Sequence, residues 1–280
     1  AHAHGVTPNP CIECNCSLKF SRLTERADAL GFDAVATGHH ARLMRNERGE
    51  MRVFRGGDSA KDQSYVVHML EGRELERTLF PVGHMTKAEV RRIAAELGLR
   101  TASKPDSQDV CFISTTGGRE TFLGHRIPFH RATVVDTSGE QVGEVDAVEL
   151  VTIGQRRGIG LYRTEAKRFV VDVDTEARKV VVGTEADLQR DSLALYSMVW
   201  AGGVPTAGRF RVQCSAHGTS LPCSVTLVDG DKVQVTLDAP HRRIAPGQSA
   251  VLFDETDSYV VAGGLVSAAS AWPVNVGAIA

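Results

Sequence analysis

The pattern of apolar residues changes near residue 115, and this change most constrains how the 280-residue chain can fold. Before it, apolar residues recur at helical spacing in residues 17–31 and again in residues 86–97. Thr86 and Glu89 have the spacing of a capping box at the start of the second helix. Between the helices, the run FDAVATGHH predicts a short buried strand followed by a glycine-containing loop. Helices that alternate with such strands predict an α/β domain with a parallel sheet.

After residue 115, short stretches of alternating apolar and polar residues are separated by turn-forming residues. Phe169–Val173 and Lys179–Val182 flank a polar turn and predict a hairpin. Ala201–Gly208 is rich in Gly, Pro and Ala and predicts a linker or a loop. Further strands are predicted at Arg209–Cys214, Cys223–Val228, Lys232–Leu237, Ala250–Phe253 and Tyr259–Ala262. We therefore expect a small β-rich middle domain and a C-terminal β-barrel.

The composition excludes several classes of protein. Hydrophobic residues make up 42% of the chain and charged residues 24%, as in ordinary globular proteins. No run approaches the roughly 18 apolar residues of a membrane span, and the first residues lack the apolar core of a signal peptide. The net charge of −2 argues against binding nucleic acid through bulk charge alone, although local basic clusters can hold a folded RNA. We expect a cytoplasmic protein with no membrane partner.

Three of the six cysteines, Cys11, Cys14 and Cys16, lie together in the segment TPNPCIECNC. Its two prolines predict a non-helical backbone just before the helix expected from residue 17. The positive end of a helix favours the thiolate that a nucleophile or a metal ligand needs. The segment therefore predicts sulfur chemistry or metal binding, and a zinc site is less compatible because no finger-like second pair follows. Small buried thiols are the alternative interpretation.

A further cysteine, Cys111, lies in the segment KPDSQDVCF between Val110 and Phe112. Taken alone, this pattern is typical of a cysteine in an apolar core. An iron–sulfur cluster bound by Cys11, Cys14 and one distant thiolate is another interpretation of the first cysteine segment.

Two polar segments of the N-terminal part are candidates for nucleotide or RNA contacts. ATGHHARL places Gly38 just after a predicted parallel strand, where nucleotides bind in doubly wound sheets. KDQSY begins at Lys61 and offers side chains suited to phosphate or ribose. An ordinary turn and a solvated loop are the alternatives.

Two basic clusters occur in the β-rich part. IGQRRGIG places Arg156 and Arg157 between glycines, in a loop suited to an RNA backbone. An exposed charged turn is the alternative. His241, Arg242 and Arg243 form a second, smaller cluster.

Taken together and in order, TPNPCIECN, ATGHHARL, KDQSY, KPDSQDVCF and GQRRGIG resemble the tRNA-specific 2-thiouridylases, the MnmA/TrmU family. The tail, with LPCSV, APGQSAVLF and VAGG, is similar to the C-terminal barrel of that family. The resemblance implies three domains. Residues 1–117 would be the C-terminal part of a PP-loop ATP-binding domain of the adenine-nucleotide-hydrolase-like kind, 118–190 a central tRNA-contacting domain, and 191–280 the barrel.

The resemblance also implies the chemistry, which is ATP-dependent 2-thiolation of the wobble uridine of tRNA. ATP, with Mg²⁺, would adenylate the C2 oxygen, and a cysteine persulfide would then attack C2. Cys111 matches the persulfide-bearing cysteine and Cys14 its partner, so that turnover would leave a disulfide between them. A cysteine desulfurase or a sulfur-relay protein would supply the sulfur.

Other residues match family positions with binding roles. Gly38 matches a residue whose backbone meets the adenine nucleotide, and His39 a residue beside the tRNA. The remaining matches are to segments that contact the target base or the tRNA: Asn9, Pro10 and Cys11 for the base, and Lys61, Asp62, Gln63 and Gln248 for the tRNA.

The sequence departs from the family pattern at three places. The SGGxDS-type phosphate loop is expected upstream of Ala1, so this chain alone is not expected to adenylate the uridine. Cys11 stands where many relatives carry Asp, and Ser215-Ala216 stands where an Arg-Tyr pair is usual. Three alternatives therefore stay open: an iron–sulfur-dependent thiolase using Cys11, Cys14 and Cys111, a non-catalytic tRNA-binding fragment, and sulfur transfer to another small molecule.

Overall fold

The computed structural model describes residues 1–104, 110, 117–162, 166–229, 231–269 and 271–272. These residues form an N-terminal region of helices and short strands, a middle region built on a four-stranded sheet, and a closed six-stranded barrel. The fold class predicted from the sequence, α/β followed by two β-rich parts, is confirmed. Within the described ranges, no helix is long and apolar enough to cross a membrane.

The first helical stretch begins earlier than the sequence predicted. Its successive segments are α1 (Pro10–Glu13), a π-helix (Cys14–Arg22) and α2 (Leu23–Leu30). The expectation of a non-helical backbone up to residue 17 is therefore wrong. Pro10 is tolerated because the first turn needs no backbone donor there, and the side chain of Asn9 caps the helix by accepting from the Cys11 amide at 3.1 Å. Gly31 ends the stretch in the left-handed conformation, with φ of 74°.

The rest of the N-terminal region frames this stretch. Its helices are α3 (Gly72–Arg77) and α4 (Lys87–Glu96), and its strands are β1 (Val35–Ala36), β2 (Arg42–Arg45), β3 (Met51–Phe54) and β4 (Thr78–Leu79). The predicted capping box of Thr86 and Glu89 is present at the start of α4. β1 and β4 form a parallel pair, while β2 and β3 form a hairpin that the sequence reasoning missed.

The middle region contains one short helix and a mixed sheet. Its elements are α5 (Arg119–Gly124), β5 (Ala132–Asp136), β6 (Gln141–Val145), β7 (Phe169–Asp174) and β8 (Lys179–Gly183). The strand order is β6-β5-β8-β7, with β5 and β8 parallel and the outer pairs antiparallel. The predicted hairpin is β7–β8. Valines on one face of the sheet, including Val134, Val170 and Val180, are fully buried.

The barrel closes in the order β10-β11-β12-β9-β14-β13. Its strands are β9 (Gln189–Trp200), β10 (Gly208–Gln213), β11 (Leu221–Asp229), β12 (Lys232–Arg242), β13 (Ser249–Phe253) and β14 (Val260–Val266). The sequence reasoning missed β9 because Leu193, Ala194 and Leu195 are all buried, which removes the alternation expected of a strand. Ala201–Gly208 is the loop between β9 and β10, within the barrel rather than between domains.

Arg55 joins the N-terminal region to the barrel. Its guanidinium donates to Asp62 at 3.0 Å, to Asp257 at 2.6 Å and to the Gln213 side chain at 2.6 Å. It also lies 3.4 Å from the centre of the Phe253 ring. These contacts of a half-buried charge lie beside an apolar cluster in which Val53 of the N-terminal region and Phe253 of the barrel share a core.

The predicted basic cluster at residues 241–243 joins the barrel to the middle region. Arg242 forms an ion pair with Glu185 at 2.9 Å and lies over the Phe169 ring. Arg243 donates to the Val171 carbonyl at 2.8 Å and to Asp172 at 3.2 Å. These arginines are therefore engaged in contacts between regions.

Candidate functional site

The cysteine cluster lies at the N-terminal end of the first helical stretch. Cys11, in the first turn, is exposed, while Cys14 and Cys16 are half-buried. Cys11 and Cys14 are three residues apart, so both lie on one face of the helix. Cys14 is the first residue of the π-helix, a rare conformation that is frequent at functional sites. Burial and the charges of Glu13, Glu74 and Glu71 raise the pKa of the Cys16 thiol, which disfavours its thiolate.

A loop of the barrel holds the segment that leads into this helix. The Thr7 amide donates to the Pro246 carbonyl at 2.8 Å, and the Gln248 side chain donates to the Thr7 carbonyl at 2.6 Å. Gly247 has φ of 83°, and a Cβ there would come 2.3 Å from Val6. Only glycine fits such a close approach. The structure thus brings Gln248 close to the segment containing Asn9, Pro10 and Cys11.

Asn15, which the sequence reasoning missed, ties the cysteine-bearing helix to the predicted nucleotide loop. It is 4% exposed, and its Nδ2 donates to the Val66 carbonyl at 3.3 Å. Its Oδ1 lies 3.2 Å from His39 Nε2, and His39 Nδ1 lies 2.8 Å from the Thr37 hydroxyl. The signal for Asn15 in the sequence was a polar residue on the buried side of a helix, between two cysteines.

The His39 ring is buried within this network. It packs between Phe20 and Phe80, with both ring centroids 5.6 Å away. Burial, reinforced by the charges of Lys19 and His40, lowers the pKa of His39 to about 4, so the ring is neutral at physiological pH. Since Asn15 offers an oxygen, the neutral ring carries its proton on Nε2 and accepts from the Thr37 hydroxyl. The residue expected beside a tRNA therefore lies in the packed interior of the described chain.

Gly38 occupies an open position between Thr37 and His39. It follows β1 after a single residue and is exposed. A Cβ at this position would meet no atom within 4 Å. The backbone at the end of β1 is thus open to approach by a ligand, and nucleotide binding there stays a prediction.

The KDQ segment is divided between internal and exposed roles. Asp62 accepts from the Gly56 amide at 2.7 Å as well as from Arg55, and Gln63 exchanges two hydrogen bonds of 2.9 Å with the His40 backbone. Lys61 is exposed. Gln63 therefore braces the loop that carries His39 and His40, while Asp62 holds the chain at Arg55 and Gly56.

The GQRRG loop presents its two arginines to solvent. Arg156 and Arg157 are both exposed. Gln155 holds the loop in shape, because its side chain accepts from the Thr152 amide at 3.1 Å and donates to the Arg157 carbonyl at 2.8 Å. Gly154 and Gly158 have φ of 84° and 66°. The loop is thus a folded platform for two cations, which suits contact with phosphates.

Cys111 lies outside the described residues, as do most residues of its KPDSQDVCF segment. The expected pairing of Cys14 with Cys111 and the three-cysteine cluster therefore stay predictions. Among the residues that the structure describes, no three His, Cys, Asp or Glu side chains are grouped so as to hold a metal ion. Cys214 and Cys223 are buried in the barrel core.

Models of known families match the three regions in order. Residues 1–115 match the tRNA methyl transferase HUP domain, 120–184 the tRNA methyl transferase PRC-barrel domain, and 190–266 the aminomethyltransferase beta-barrel domain.

Relatives are similar over most of their length. The tRNA-specific 2-thiouridylase MnmA of Chloroflexus aggregans is 41% identical over 258 residues, which cover 91% of this chain and 71% of the relative. The proteins of the same name from Acidothermus cellulolyticus and Mycolicibacterium smegmatis are 44% and 45% identical, over 91% and 90% of this chain and 71% and 70% of their own. The chain belongs to the tRNA-specific 2-thiouridylase family.

Proposed function

We propose that this protein replaces the C2 oxygen of the wobble uridine of tRNA with sulfur, using ATP and a cysteine persulfide. The observation that carries the proposal is the position of Cys14 and its neighbours. They lie on a helix whose start is held by the barrel loop at Gln248 and whose next turn is held by His39 of the loop after β1. Family membership over more than nine-tenths of the chain supports the same reaction.

The first step belongs to the loop that follows β1. ATP supplies an adenylyl group that converts the C2 oxygen into a leaving group. Gly38 gives the nucleotide access to the backbone, and Asn15 and Thr37 hold the neighbouring His39 in one tautomer. We expect the phosphate-binding loop, with its Mg²⁺, to come from sequence outside the present chain.

The second step belongs to the cysteines. A cysteine desulfurase or a relay protein loads Cys111 as a persulfide, whose terminal sulfur attacks C2 and displaces AMP. The Cys14 thiolate then attacks the Cys111 sulfur and breaks the bond to the transferred sulfur, which stays on C2 as the thiocarbonyl. The product disulfide between Cys14 and Cys111 takes two electrons from a thiol reductant before the next cycle.

Substrate binding is spread over the three regions. Arg156 and Arg157 supply exposed charge to the RNA backbone. Asn9, Pro10 and Cys11 face the target base, and Gln248 holds their segment. Lys61 is exposed and directly precedes Asp62 and Gln63. Because phosphate contacts position an RNA without reading it, the choice of uridine rests with the segment around Pro10.

The test uses the full-length gene product with ATP, a cysteine desulfurase, cysteine and unmodified tRNA. Thiolated tRNA is scored by retarded migration in a mercury-containing gel. We expect Cys14→Ser and Cys111→Ser to abolish the shift, and Cys11→Asp to retain it. Cys16→Ser is the matched control on the same helix, since the raised pKa of Cys16 makes it a poor nucleophile.

Two outcomes would count against the proposal. Loss of activity in Cys11→Asp as well would favour a cluster bound by three cysteines. No shift from the wild-type protein, with sulfur donor and ATP present, would overturn the thiouridylase assignment itself.

A further inference from the structure

Arg119, the first residue of α5, is a partly buried cation that no sequence motif marked. Its Nη2 lies 3.4 Å from His2 Nδ1 and 3.4 Å from the Thr152 hydroxyl. Both partners are neutral, because burial and the Arg119 charge lower the pKa of His2. Within the described ranges, no carboxylate pairs with Arg119.

Two other partly buried arginines, Arg55 and Arg243, are paired with acids, whereas Arg42 and Arg211 donate to backbone carbonyls and a hydroxyl. Arg55 contacts Asp62 and Asp257, and Arg243 contacts Asp172. Glu149, a carboxylate close in sequence to Thr152, already has hydrogen-bond partners of its own. Glu149 accepts from the His130 amide at 3.0 Å and from its ring at 2.7 Å. Partial burial of a guanidinium charge costs free energy when no carboxylate pairs with it. A bound anion would offset that cost.

The two contacts of Arg119 connect it to both chain segments that we propose to bind the RNA. Thr152 directly precedes the loop that presents Arg156 and Arg157, and the Gln155 side chain fastens that loop to the Thr152 amide. His2 lies in the segment that continues through Thr7 to the cysteine-bearing helix. Arg119 therefore contacts one residue next to the loop of exposed arginines and one residue of the segment that leads to the residues expected to meet the target base.

We propose that Arg119 binds a backbone phosphate of the tRNA, between the target uridine and the GQRRG loop. This inference rests on the proposed function. It adds a contact that fixes the position of the RNA rather than its sequence. The guanidinium would exchange its two long contacts with His2 and Thr152 for charge-assisted hydrogen bonds to phosphate oxygens.

The test measures binding of the full-length protein to an unmodified substrate tRNA over a range of salt concentrations. Arg119→Gln should raise the Kd about tenfold, the value of one charged hydrogen bond. It should also lower the slope of log K against log salt by about one. Arg119→Lys should keep the slope, because it keeps the charge.

Arg126→Gln is the matched control. Arg126 follows the same helix, is exposed, and is occupied with its own helix, donating to the Phe122 carbonyl at 2.7 Å and lying over the Phe122 ring. Its replacement should leave both the Kd and the slope unchanged. Thermal melting of each variant reports whether the fold is intact.

A second experiment locates the contact on the RNA. Single phosphates of the tRNA are neutralised one at a time as methylphosphonates. At one phosphate, this substitution should weaken binding to the wild-type protein about tenfold and leave binding to Arg119→Gln unchanged. That result is expected when Arg119 contacts the phosphate directly.

The inference is overturned if Arg119→Gln binds tRNA with the wild-type slope, or if no methylphosphonate position loses its effect in that variant. It is also overturned if Arg126→Gln has the same effect as Arg119→Gln. In each case, thiolation by the wild-type protein would leave the proposed function standing. Absence of tRNA binding and thiolation in the wild type would instead remove the proposed function.

Discussion

The cysteines of the barrel and the cysteines of the first helix present the same side chain in opposite environments. Cys214 and Cys223 are buried among apolar residues of a closed barrel, and burial raises the pKa of each thiol to about 12. Cys11 and Cys14 lie at a helix start, exposed and half-buried. The barrel uses sulfur for packing, whereas the helix keeps it accessible.

The two regions are also held together in different ways. The barrel closes on itself through backbone pairing and one apolar core. The helical stretch buries Ile12 and Phe20 in a second apolar cluster, which includes Phe253 of the barrel, and adds polar contacts such as that of Asn15 with His39. Loss of one directional polar contact can loosen the helix without unfolding the barrel.

The largest expected effect concerns thiol reactivity. At pH 8, iodoacetamide should modify the half-buried Cys14 at least about a hundredfold faster than Cys214 or Cys223, because the barrel core excludes the reagent and keeps both of its thiols protonated. A pKa of about 12 leaves only about one in 10⁴ of each barrel thiol as thiolate at pH 8. Peptide mass spectrometry after timed labelling gives the rates, and labelling in denaturant is the control. Equal rates for Cys14 and Cys223 in the native protein would remove the contrast.

The next effect is a loss of stability in mild acid that originates outside the barrel. Burial lowers the pKa of His39 and of His68 to about 4, below the value of about 6.5 in the unfolded chain. The unfolded state therefore binds more protons between pH 6.5 and 4, so the free energy of unfolding falls as pH falls through that window. From pH 7 to pH 5 the loss should be about 2 kcal/mol for each histidine.

Urea unfolding at several pH values measures this loss. His39→Gln should flatten the pH dependence by the share of one histidine. Trp200 fluorescence reports separately on the barrel, whose described residues include no buried histidine. An unchanged pH dependence in His39→Gln would contradict the assigned pKa shift.

The smallest expected effect comes from removing the Asn15 side chain. Asn15→Ala leaves the Val66 carbonyl and His39 Nε2 without their partner, at a cost of about 2 kcal/mol. Amide hydrogen exchange should accelerate in residues 10–30 and stay unchanged in the barrel. Ser17→Ala is the control on the same helix, because the Ser17 hydroxyl donates to Glu13, which is exposed. Equal protection in Asn15→Ala and the wild type would show that this network does not hold the helix.

Local signals were sufficient for part of the fold. The capping box of Thr86 and Glu89 and the β7–β8 hairpin were predicted because each depends on residues close in sequence. The start of the first helix at Pro10 was missed because prolines were taken as helix breakers, although the first turn accepts them. β9 was missed because it buries both of its faces in the middle.

The candidate site was less predictable than the fold. Motifs marked Cys11, Cys14 and Gly38 through residue type and spacing. Neither Asn15 nor Arg119 carries such a mark, because the partners of each lie 24 to 117 residues away. Whether a polar residue stabilises a loop or binds an anion depends on chain segments that only the fold brings together.

The hydrogen bonds between Thr7 and the loop at Gln248 make the barrel part of the mechanics of the helix start. The two hydrogen bonds engage both backbone groups of Thr7, two residues before the Asn9 cap. Gly247 lets the loop approach this segment closely, since a Cβ there would meet Val6. A shift of the barrel loop would therefore also shift the segment that precedes the cysteines.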